Sequence, residues 1–230
     1  MQKFAHKLTR HSLIVSTVSC IILSLSGCVI HVGGNGRDGQ SKGDVSSIFG
    51  EASVSKGKSV GDVSSVNGGI ELNDDVNAEK IHSVNGDIEI NQRVTVQSID
   101  IVNGDIETGM AFTAHGNIES VNGDIDIDSK GHIAGNIVTV NGDIELRETY
   151  VDSNLTTTNG SLSITHGSLI NGDIVYESVK QRSWSRNSLP TLRIDNESNV
   201  NGAIILHRPV NLEIENSELR MKVQRYYSQG

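Results

Sequence analysis

The chain has few of the residues from which most globular cores are built. Aromatic residues make up only 3% of its 230 residues, and it contains two prolines and two cysteines. Helical bundles and β-sandwiches rely on larger core side chains, so this composition favours a core of stacked aliphatic residues. The length fits one domain. Both cysteines, Cys20 and Cys28, lie near the N-terminus. A chain that loses Cys20 can form no internal disulfide and no cysteine-based metal site.

Positive charge is also scarce. The chain carries 19 basic and 28 acidic residues, and three of the basic residues precede Cys28. Without them, 16 basic residues stand against 28 acids. Nucleic-acid binding requires a basic face, and lying flat on anionic lipid requires cations, so the composition argues against both.

The first 27 residues are typical of a secretory signal. An apolar stretch over residues 13–25 is short for a bilayer span and follows three cations, Lys3, Lys7 and Arg10. The stretch ends in Leu25-Ser26-Gly27-Cys28, which resembles the lipobox of bacterial lipoproteins. The resemblance implies that the Cys28 thiol receives a diacylglyceryl group and that the chain is cut before Cys28. An ordinary signal peptide with a chance cysteine is the alternative.

This resemblance carries expectations about location. Two or more acyl chains anchor a protein stably, and Val29, in place of aspartate after the cysteine, resembles outer-membrane sorting. We expect an exported protein that is lipid-anchored to a bacterial membrane, the outer one. Residues 28–40 are glycine-rich and predict a lipidated flexible tether, and residues 41–230 form the folded domain.

Asparagine-glycine pairs recur at a regular interval in this domain. The first six are 18, 18, 19, 19 and 18 residues apart, and two more follow at Asn171 and Asn201. The six regular asparagines are Asn67, Asn85, Asn103, Asn122, Asn141 and Asn159. Around them aliphatic residues alternate with polar ones, as in Ile125-Asp126-Ile127, and no helical segment separates the repeats. Such strands stack most simply as the coils of a solenoid.

We therefore predict an all-β fold, a single-domain parallel β-helix with coils of about 18–19 residues and an expected right-handed winding. Equivalent residues of neighbouring coils would lie ~4.8 Å apart, with isoleucine columns inside and an asparagine column at a bend. Stacked amides can hydrogen-bond to one another, because each has donors and an acceptor. We interpret the six asparagines as a structural ladder and the glycine after each as the residue that permits a sharp corner.

The direction of one repeated position stays open. Strict alternation from Ile118 points Ser120 and Asn122 inward and Val121 outward. The recurrence of valine at this position argues instead for burial, and a β-bulge would reconcile the two. The valines concerned are Val66, Val84, Val102, Val121 and Val140.

Two columns of acids form the sharpest candidate for a functional site. They are predicted to point outward, because the isoleucines between them point inward. One column comprises Asp87, Asp105, Asp124 and Asp143, and the other Glu89, Glu107, Asp126 and Glu145. Like charges ~4.8 Å apart repel by ~0.9 kcal/mol at the dielectric constant of water. Either a solvated face tolerates this, or the columns weakly bind a hard cation such as Ca²⁺ or a cationic partner; catalysis is a third interpretation.

Other polar and aromatic residues are weaker candidates. The histidines do not share one repeat position, which favours plain surface positions over metal binding or catalysis; they are His82, His115, His132 and His166. Residues 178–188 are polar and basic and are predicted to loop out of the solenoid. Trp184 in this loop either anchors it or stacks on a sugar or lipid headgroup. Tyr226 and Tyr227 are predicted to cover the open end of the solenoid.

The repeated pattern G-[DN]-[IV]-x-x-[VT]-N-G-[DS]-[IL] resembles that of adhesin-type β-helix proteins, a bacterial family of unknown function that also occurs as lipoproteins. The resemblance covers residues 43–219. It implies the β-helix and an adhesive role, and it supplies no catalytic residue, metal or cofactor. We expect a non-enzymatic cell-envelope lipoprotein whose surface serves adhesion, binding of a glycan or an envelope protein, or envelope assembly. The alternatives are a polysaccharide-active β-helix enzyme and a module that self-assembles through exposed coil ends.

Overall fold

The computed structural model describes residues 42–178 and 189–227. They form a parallel β-helix in which three sheets, of ten, nine and six strands, run along the solenoid. From residue 80 to residue 200 each coil contributes one strand to each sheet, in the order ten-, nine- and six-stranded sheet, and the two coils before residue 80 contribute none to the six-stranded sheet. The predicted all-β parallel β-helix is confirmed.

The ten-stranded sheet holds the longest strands. It consists of β1 (Val45–Phe49), β3 (Val63–Asn67), β5 (Lys80–Asn85), β8 (Ser98–Asn103), β11 (Ile118–Asn122), β14 (Ile137–Asn141), β17 (Leu155–Thr157), β20 (Ile174–Tyr176), β23 (Ile204–Leu206) and β25 (Val223–Arg225). The nine-stranded sheet follows it around each coil. It consists of β2 (Ala52–Val54), β4 (Ile70–Leu72), β6 (Ile88–Ile90), β9 (Ile106–Thr108), β12 (Ile125–Ile127), β15 (Ile144–Arg147), β18 (Leu162–Thr165), β21 (Thr191–Ile194) and β24 (Asn211–Ile214).

The six-stranded sheet is built from two-residue strands. It consists of β7 (Thr95–Val96), β10 (Thr113–Ala114), β13 (His132–Ile133), β16 (Tyr150–Val151), β19 (Leu169–Ile170) and β22 (Asn199–Val200). One short helix, α1 (Ser217–Met221), lies near the C-terminus, with Asn216 as its N-cap. No helix within the described ranges is long and apolar enough to cross a membrane.

The strands stack in register, so that like residues form columns. Ile99 pairs with Ile118, and Ile118 with Ile137, one coil apart. These isoleucines are 0% exposed, and burial of such a side chain stabilises the fold by roughly 1.5–3 kcal/mol. One coil is longer, because Ile174 pairs with Ile204, 30 residues on. The extra residues fall between β20 and β21. The predicted loop at 178–188 lies in this interval, and all of it beyond Ser178 is outside the described residues.

The structure settles the direction of the repeated valine. Ser120 is buried and Val121 is half-buried on the outside, which agrees with strict alternation and not with a buried valine. Asn122, however, is exposed, so the inward direction that alternation gives it is wrong. The reason is the corner. The buried Ser120 hydroxyl donates to the carbonyl of Gly123 at 3.3 Å, and the chain turns there, leaving the asparagine outside.

The C-terminal end of the solenoid is covered, although not as expected. Leu219 of α1 is 1% exposed and packs on the last core layer, and β25 then extends the ten-stranded sheet. Lys222 Nζ donates to the carbonyls of Val200 and Asn201 at 2.6 and 3.2 Å. Tyr227 packs against the core, but Tyr226 is 62% exposed. Helix α1 therefore provides most of the cover that was expected from Tyr226 and Tyr227.

Candidate binding surface

The six regular asparagines form one continuous run of side-chain hydrogen bonds, here called the asparagine ladder. In each pair the Nδ2 of one asparagine donates to the Oδ1 of the asparagine one coil earlier, at 2.7–3.2 Å. The ladder begins at Asn67 and ends at Asn159. All six residues are exposed, so the ladder lies along an outer edge of the solenoid. Because every amide points the same way, the last Oδ1, that of Asn159, is left as an acceptor.

Arg208 takes up this acceptor. Its Nη1 donates to Asn159 Oδ1 and to the carbonyl of Thr158, both at 2.6 Å. Arg208 follows β23 and lies two coils after Asn159. The coil between them, that of β20, has the extra residues at the position where the earlier coils have Asn-Gly. Arg208 is 4% exposed, and this burial lowers the pKa of its guanidinium. Sequence reasoning missed this contact, since a single arginine leaves no repeat; the one available signal was the missing Asn-Gly pair.

The two later Asn-Gly pairs belong to a different corner. Asn171 follows β19 and Asn201 follows β22, so both lie where the chain returns from the six-stranded to the ten-stranded sheet. Asn201 Nδ2 donates to Asn171 Oδ1 at 2.7 Å. They form a separate short stack and do not extend the asparagine ladder.

The aspartates that follow the Asn-Gly pairs join one coil to the next. The backbone N–H of Asp105 donates to Asp87 Oδ1 at 3.0 Å, and that of Asp124 to Asp105 Oδ1 at 2.7 Å. Asp124 and Asp143 accept in the same way from the coils after them. At the corner after the six-stranded sheet, Asn117, Asn136 and Asn154 do the same. The repeated G-[DN]-[IV] element therefore places an acceptor for a backbone N–H that would otherwise lack one.

The second acidic column lies on the outer face of the nine-stranded sheet. Glu89, Glu107, Asp126 and Glu145 are successive register partners, and Glu71 extends the column by one coil. Glu107, Asp126 and Glu145 of this column line a shallow depression of about 280 Å³, together with Asp105, Asp124 and Asp143 of the first column. Among the residues that the structure describes, no three or more His, Cys, Asp or Glu side chains are arranged to hold a metal ion.

Arg147 partly neutralises this column. It donates to both carboxylate oxygens of Asp126 at 2.8 and 3.0 Å and to Glu145 Oε1 at 2.9 Å. Burial raises the pKa of the Asp126 carboxyl, and the Arg147 charge opposes that rise. Sequence reasoning found no recurring basic residue beside the acids and overlooked this single one. Its signal was present, because residues two apart in a strand, such as 145 and 147, share a face.

The histidines lie on the surface and do not converge. His82 Nδ1 is 3.3 Å from Asp100 Oδ2, on the ten-stranded sheet. His132 Nε2 is 2.9 Å from Asp152 Oδ2, on the six-stranded sheet, and the hydrogen bond lowers the pKa of Asp152. The His132 ring also contacts the Tyr150 ring, with centroids 5.2 Å apart.

The outer face of the ten-stranded sheet, here called the valine face, carries an aliphatic column. The sequence alone did not decide whether this column points outward. The column comprises Ile48, Val66, Val84, Val102, Val121 and Val140, which lie on the outside beside the asparagine ladder. Val66 is 37% exposed and the others are half-buried. A second outward column of this sheet includes Val138, Thr156, Val175 and Ile205 and ends in Gln224.

The valine face carries little free charge. Two of its acids, Asp100 and Glu119, have partners: Asp100 is paired with His82, and Glu119 accepts a hydrogen bond from Asn117 Nδ2 at 3.0 Å. A third acid, Glu177, follows β20 in the register of the valine column. Cys28, the tether and Trp184 lie outside the described residues, so their predicted roles stay predictions.

Comparisons with known proteins add no identification. The chain matches no protein-family model, and neither the curated proteins nor the solved structures gave a match. The resemblance to adhesin-type β-helix proteins therefore remains a prediction from the repeat.

Proposed function

We propose that the protein is a non-enzymatic cell-envelope lipoprotein that associates with a partner through the valine face of its β-helix. The observation that carries the proposal is the valine face itself. Its aliphatic column points outward in six successive coils, although the inward columns already fill the core. A continuous apolar strip on a protein surface is typical of an interaction site.

The polar groups support association rather than chemistry. The aspartate column is engaged by backbone N–H groups of the next coil, Asp126 and Glu145 by Arg147, and His132 by Asp152. A catalytic acid or base needs to reach a substrate proton within a cleft. These groups instead hold coils or neighbouring side chains together.

The anchor places the binding surface close to a membrane. If Cys28 is lipidated, the 13 residues between it and Lys42 allow a separation of at most ~50 Å when extended. Cys28→Ala should release the protein from membranes or leave the signal uncleaved. Unchanged fractionation of this variant, together with no lipid mass on the wild type, would remove the anchor from the proposal.

Cysteine labelling in intact membranes tests whether the valine face is covered where the protein works. Val102→Cys should be protected from a maleimide in membranes and react after denaturation. The matched control is Thr113→Cys, an outward β-branched residue on the six-stranded sheet, which should react in both states. Equal labelling of the two variants in membranes would refute binding through the valine face.

One observation favours a second candidate, a polysaccharide-active enzyme. Arg147 and Asp126 lie together beside the acidic depression, and burial raises the Asp126 pKa, as a general acid requires. On this alternative, the wild type releases oligosaccharides from an envelope polysaccharide, and Asp126→Asn with Glu145→Gln does not. No release by the wild type would exclude it for the polysaccharides tried.

A further inference from the structure

We propose that the partner of the valine face is a second copy of this chain, packed valine face to valine face about a two-fold axis. This inference rests on the proposed function, because it names the partner of the same surface. Four observations lead to it: the composition of the face, its charge, its area and the cover on the C-terminal coil end.

The composition of the face makes it complementary to itself. Its column repeats one residue type in register, so a two-fold axis parallel to the solenoid axis brings each coil opposite its equivalent, valine against valine. Two sheets pack in this way at ~10 Å, with their inner side chains interdigitated. The same axis leaves both N-terminal coils at one end of the dimer. Two anchors on Cys28 would then enter the same membrane.

Charge repulsion disfavours docking on the outer face of the nine-stranded sheet and so favours docking on the valine face. A second copy docking on the nine-stranded sheet would oppose two acidic columns, in which Glu71, Glu89 and Glu107 form no ion pair with another described residue. On the first six strands of the valine face the acids are Asp100 and Glu119, and each already has a hydrogen-bonding or ionic partner. Glu177 lies beyond these strands, after β20. Like charges across an interface disfavour association, so the valine face is the better of the two large faces.

The area is adequate for a specific dimer. Ten strands spaced ~4.8 Å apart span ~43 Å; the first six have five or six residues and span ~16 Å, and the last four have three residues and span ~10 Å. The face thus offers roughly 600 Å² per copy, the lower end of the range for a specific interface. Since side-chain ordering offsets part of the gain, we expect a modest affinity that anchoring in one membrane would strengthen.

The C-terminal coil end is less suited to self-association. At the C-terminal end, α1 buries Leu219 over the last core layer. Lys222 occupies the carbonyls of Val200 and Asn201, and Arg220 Nε donates to the carbonyl of Ile214. End-to-end stacking would have to displace this cover, whereas face-to-face packing leaves it in place.

Cross-linking of the full-length protein in membranes tests the dimer. Val66→Cys, Val102→Cys and Val140→Cys, made singly, should each give a disulfide-linked homodimer on mild oxidation, because every coil faces its equivalent and two cysteines covered from a maleimide can still join to each other. Glu89→Cys and Glu107→Cys, outward on the nine-stranded sheet, should give none. Dimers from the glutamate positions alone, or from no position, would overturn the proposal.

A second measurement separates this proposal from the proposed function. Val84→Lys with Val121→Lys should weaken dimerisation of the detergent-solubilised full-length protein at least tenfold, with the melting temperature nearly unchanged. The matched control, Thr95→Lys with Thr113→Lys on the six-stranded sheet, should dimerise as the wild type does. If Val102→Cys is protected in membranes but never cross-links to itself, the face binds another partner and only the second copy is refuted. If Val102→Cys is neither protected nor cross-linked, both proposals fall.

Discussion

Two corners of the same coil reach a sharp turn in different ways. The Asn-Gly corner joins the ten-stranded sheet to the nine-stranded sheet, and its glycines stack directly on one another. The second corner joins the nine-stranded sheet to the six-stranded sheet, and we call it the left-handed corner. Six non-glycine residues there have φ between 46° and 64°: Asp75, Arg93, Ala111, Lys130, Glu148 and His166.

The difference lies in how closely adjacent coils approach. At the Asn-Gly corner, Gly123 has φ of 145°, and a Cβ on it would be 1.9 Å from the carbonyl oxygen of Gly104. At the left-handed corner, Gly57 has φ of 70°, and a Cβ there would meet nothing within 4 Å. The first corner therefore admits only glycine. The left-handed corner constrains only the backbone conformation, and residues other than glycine occupy it at an energetic cost of roughly 1–2 kcal/mol each.

The largest expected difference in stability is between glycine-to-alanine substitutions at the two corners. Gly123→Ala should lower the free energy of unfolding by more than ~4 kcal/mol, because the new methyl group overlaps backbone that cannot move independently. Gly57→Ala should lower it by only ~1 kcal/mol, since left-handed strain is partly offset by the reduced entropy of the unfolded chain. Urea unfolding followed by circular dichroism measures both. Similar losses at the two positions would show that backbone conformation, and not coil contact, sets the requirement.

The next effect concerns the end of the asparagine ladder. Arg208→Met keeps an unbranched apolar stem but removes the donors to Asn159 Oδ1 and to the Thr158 carbonyl. Bonds from a charged donor contribute ~1.5–3 kcal/mol, so we expect a loss of ~2–3 kcal/mol in unfolding free energy. The control is Arg193→Met, an exposed residue on the nine-stranded sheet, which should change stability by less than ~0.5 kcal/mol. A loss at Arg208 no larger than at Arg193 would mean that the ladder needs no terminal donor.

Within the ladder, single amides should matter less. Asn122→Ala removes the bonds to Asn103 and Asn141, both of which are exposed enough for water to replace the lost partner. We expect ~1 kcal/mol from urea unfolding, the lower end of the range for a lost hydrogen bond. Asn199→Ala, which removes one exposed bond to Asn201, serves as control and should be nearly neutral. If the two variants were equally stable, the ladder would contribute nothing beyond an ordinary surface contact.

The same contrast explains what the sequence could and could not predict. Asn122, Gly123 and Asp124 are each fixed by a contact with the next coil, so their identities recur and the period, the corner and the fold could be predicted. Asp75 and Ala111 share only a backbone conformation, which many residues can adopt, so no residue type recurs at the left-handed corner. Arg147 and Arg208 make contacts that occur once, and a search for repeats passes over them.

The valine face was missed for a different reason. Alternation and recurrence gave opposite directions for Val121, and the deciding contact is a hydrogen bond from the buried Ser120 hydroxyl to the Gly123 carbonyl. Neither residue type alone predicts that bond. Once Ser120 is known to be inside, Val121 must point outward, and the face follows from the period.

The smallest expected effect concerns the aspartate column. Asp105→Asn with Asp124→Asn removes two adjacent charges but keeps an Oδ1 that can accept the backbone N–H of the next coil, as Asn117, Asn136 and Asn154 do at the third corner. We therefore expect the double variant to be as stable as the wild type, or slightly more stable in low salt, where repulsion is least screened. Asp105→Ala, which removes the acceptor as well as the charge, should be less stable than Asp105→Asn. That order separates the structural use of the carboxylate from its charge.

The same variants decide whether the column also binds a cation. A ligand that binds only the folded state raises its stability by mass action, so a Ca²⁺ site would raise the melting temperature beyond a Na⁺ control of equal ionic strength. We expect no such increment, because the recurrence of aspartate is already explained by the backbone N–H groups it accepts, and no three acids in the described ranges are arranged around an ion. Salt should act on the column by screening alone, equally for both cations once ionic strength is matched. A Ca²⁺-specific increase in the wild type that disappears in the Asp105→Asn, Asp124→Asn double variant would show the opposite. The acidic face, and not the valine face, would then be the first surface on which to look for a partner.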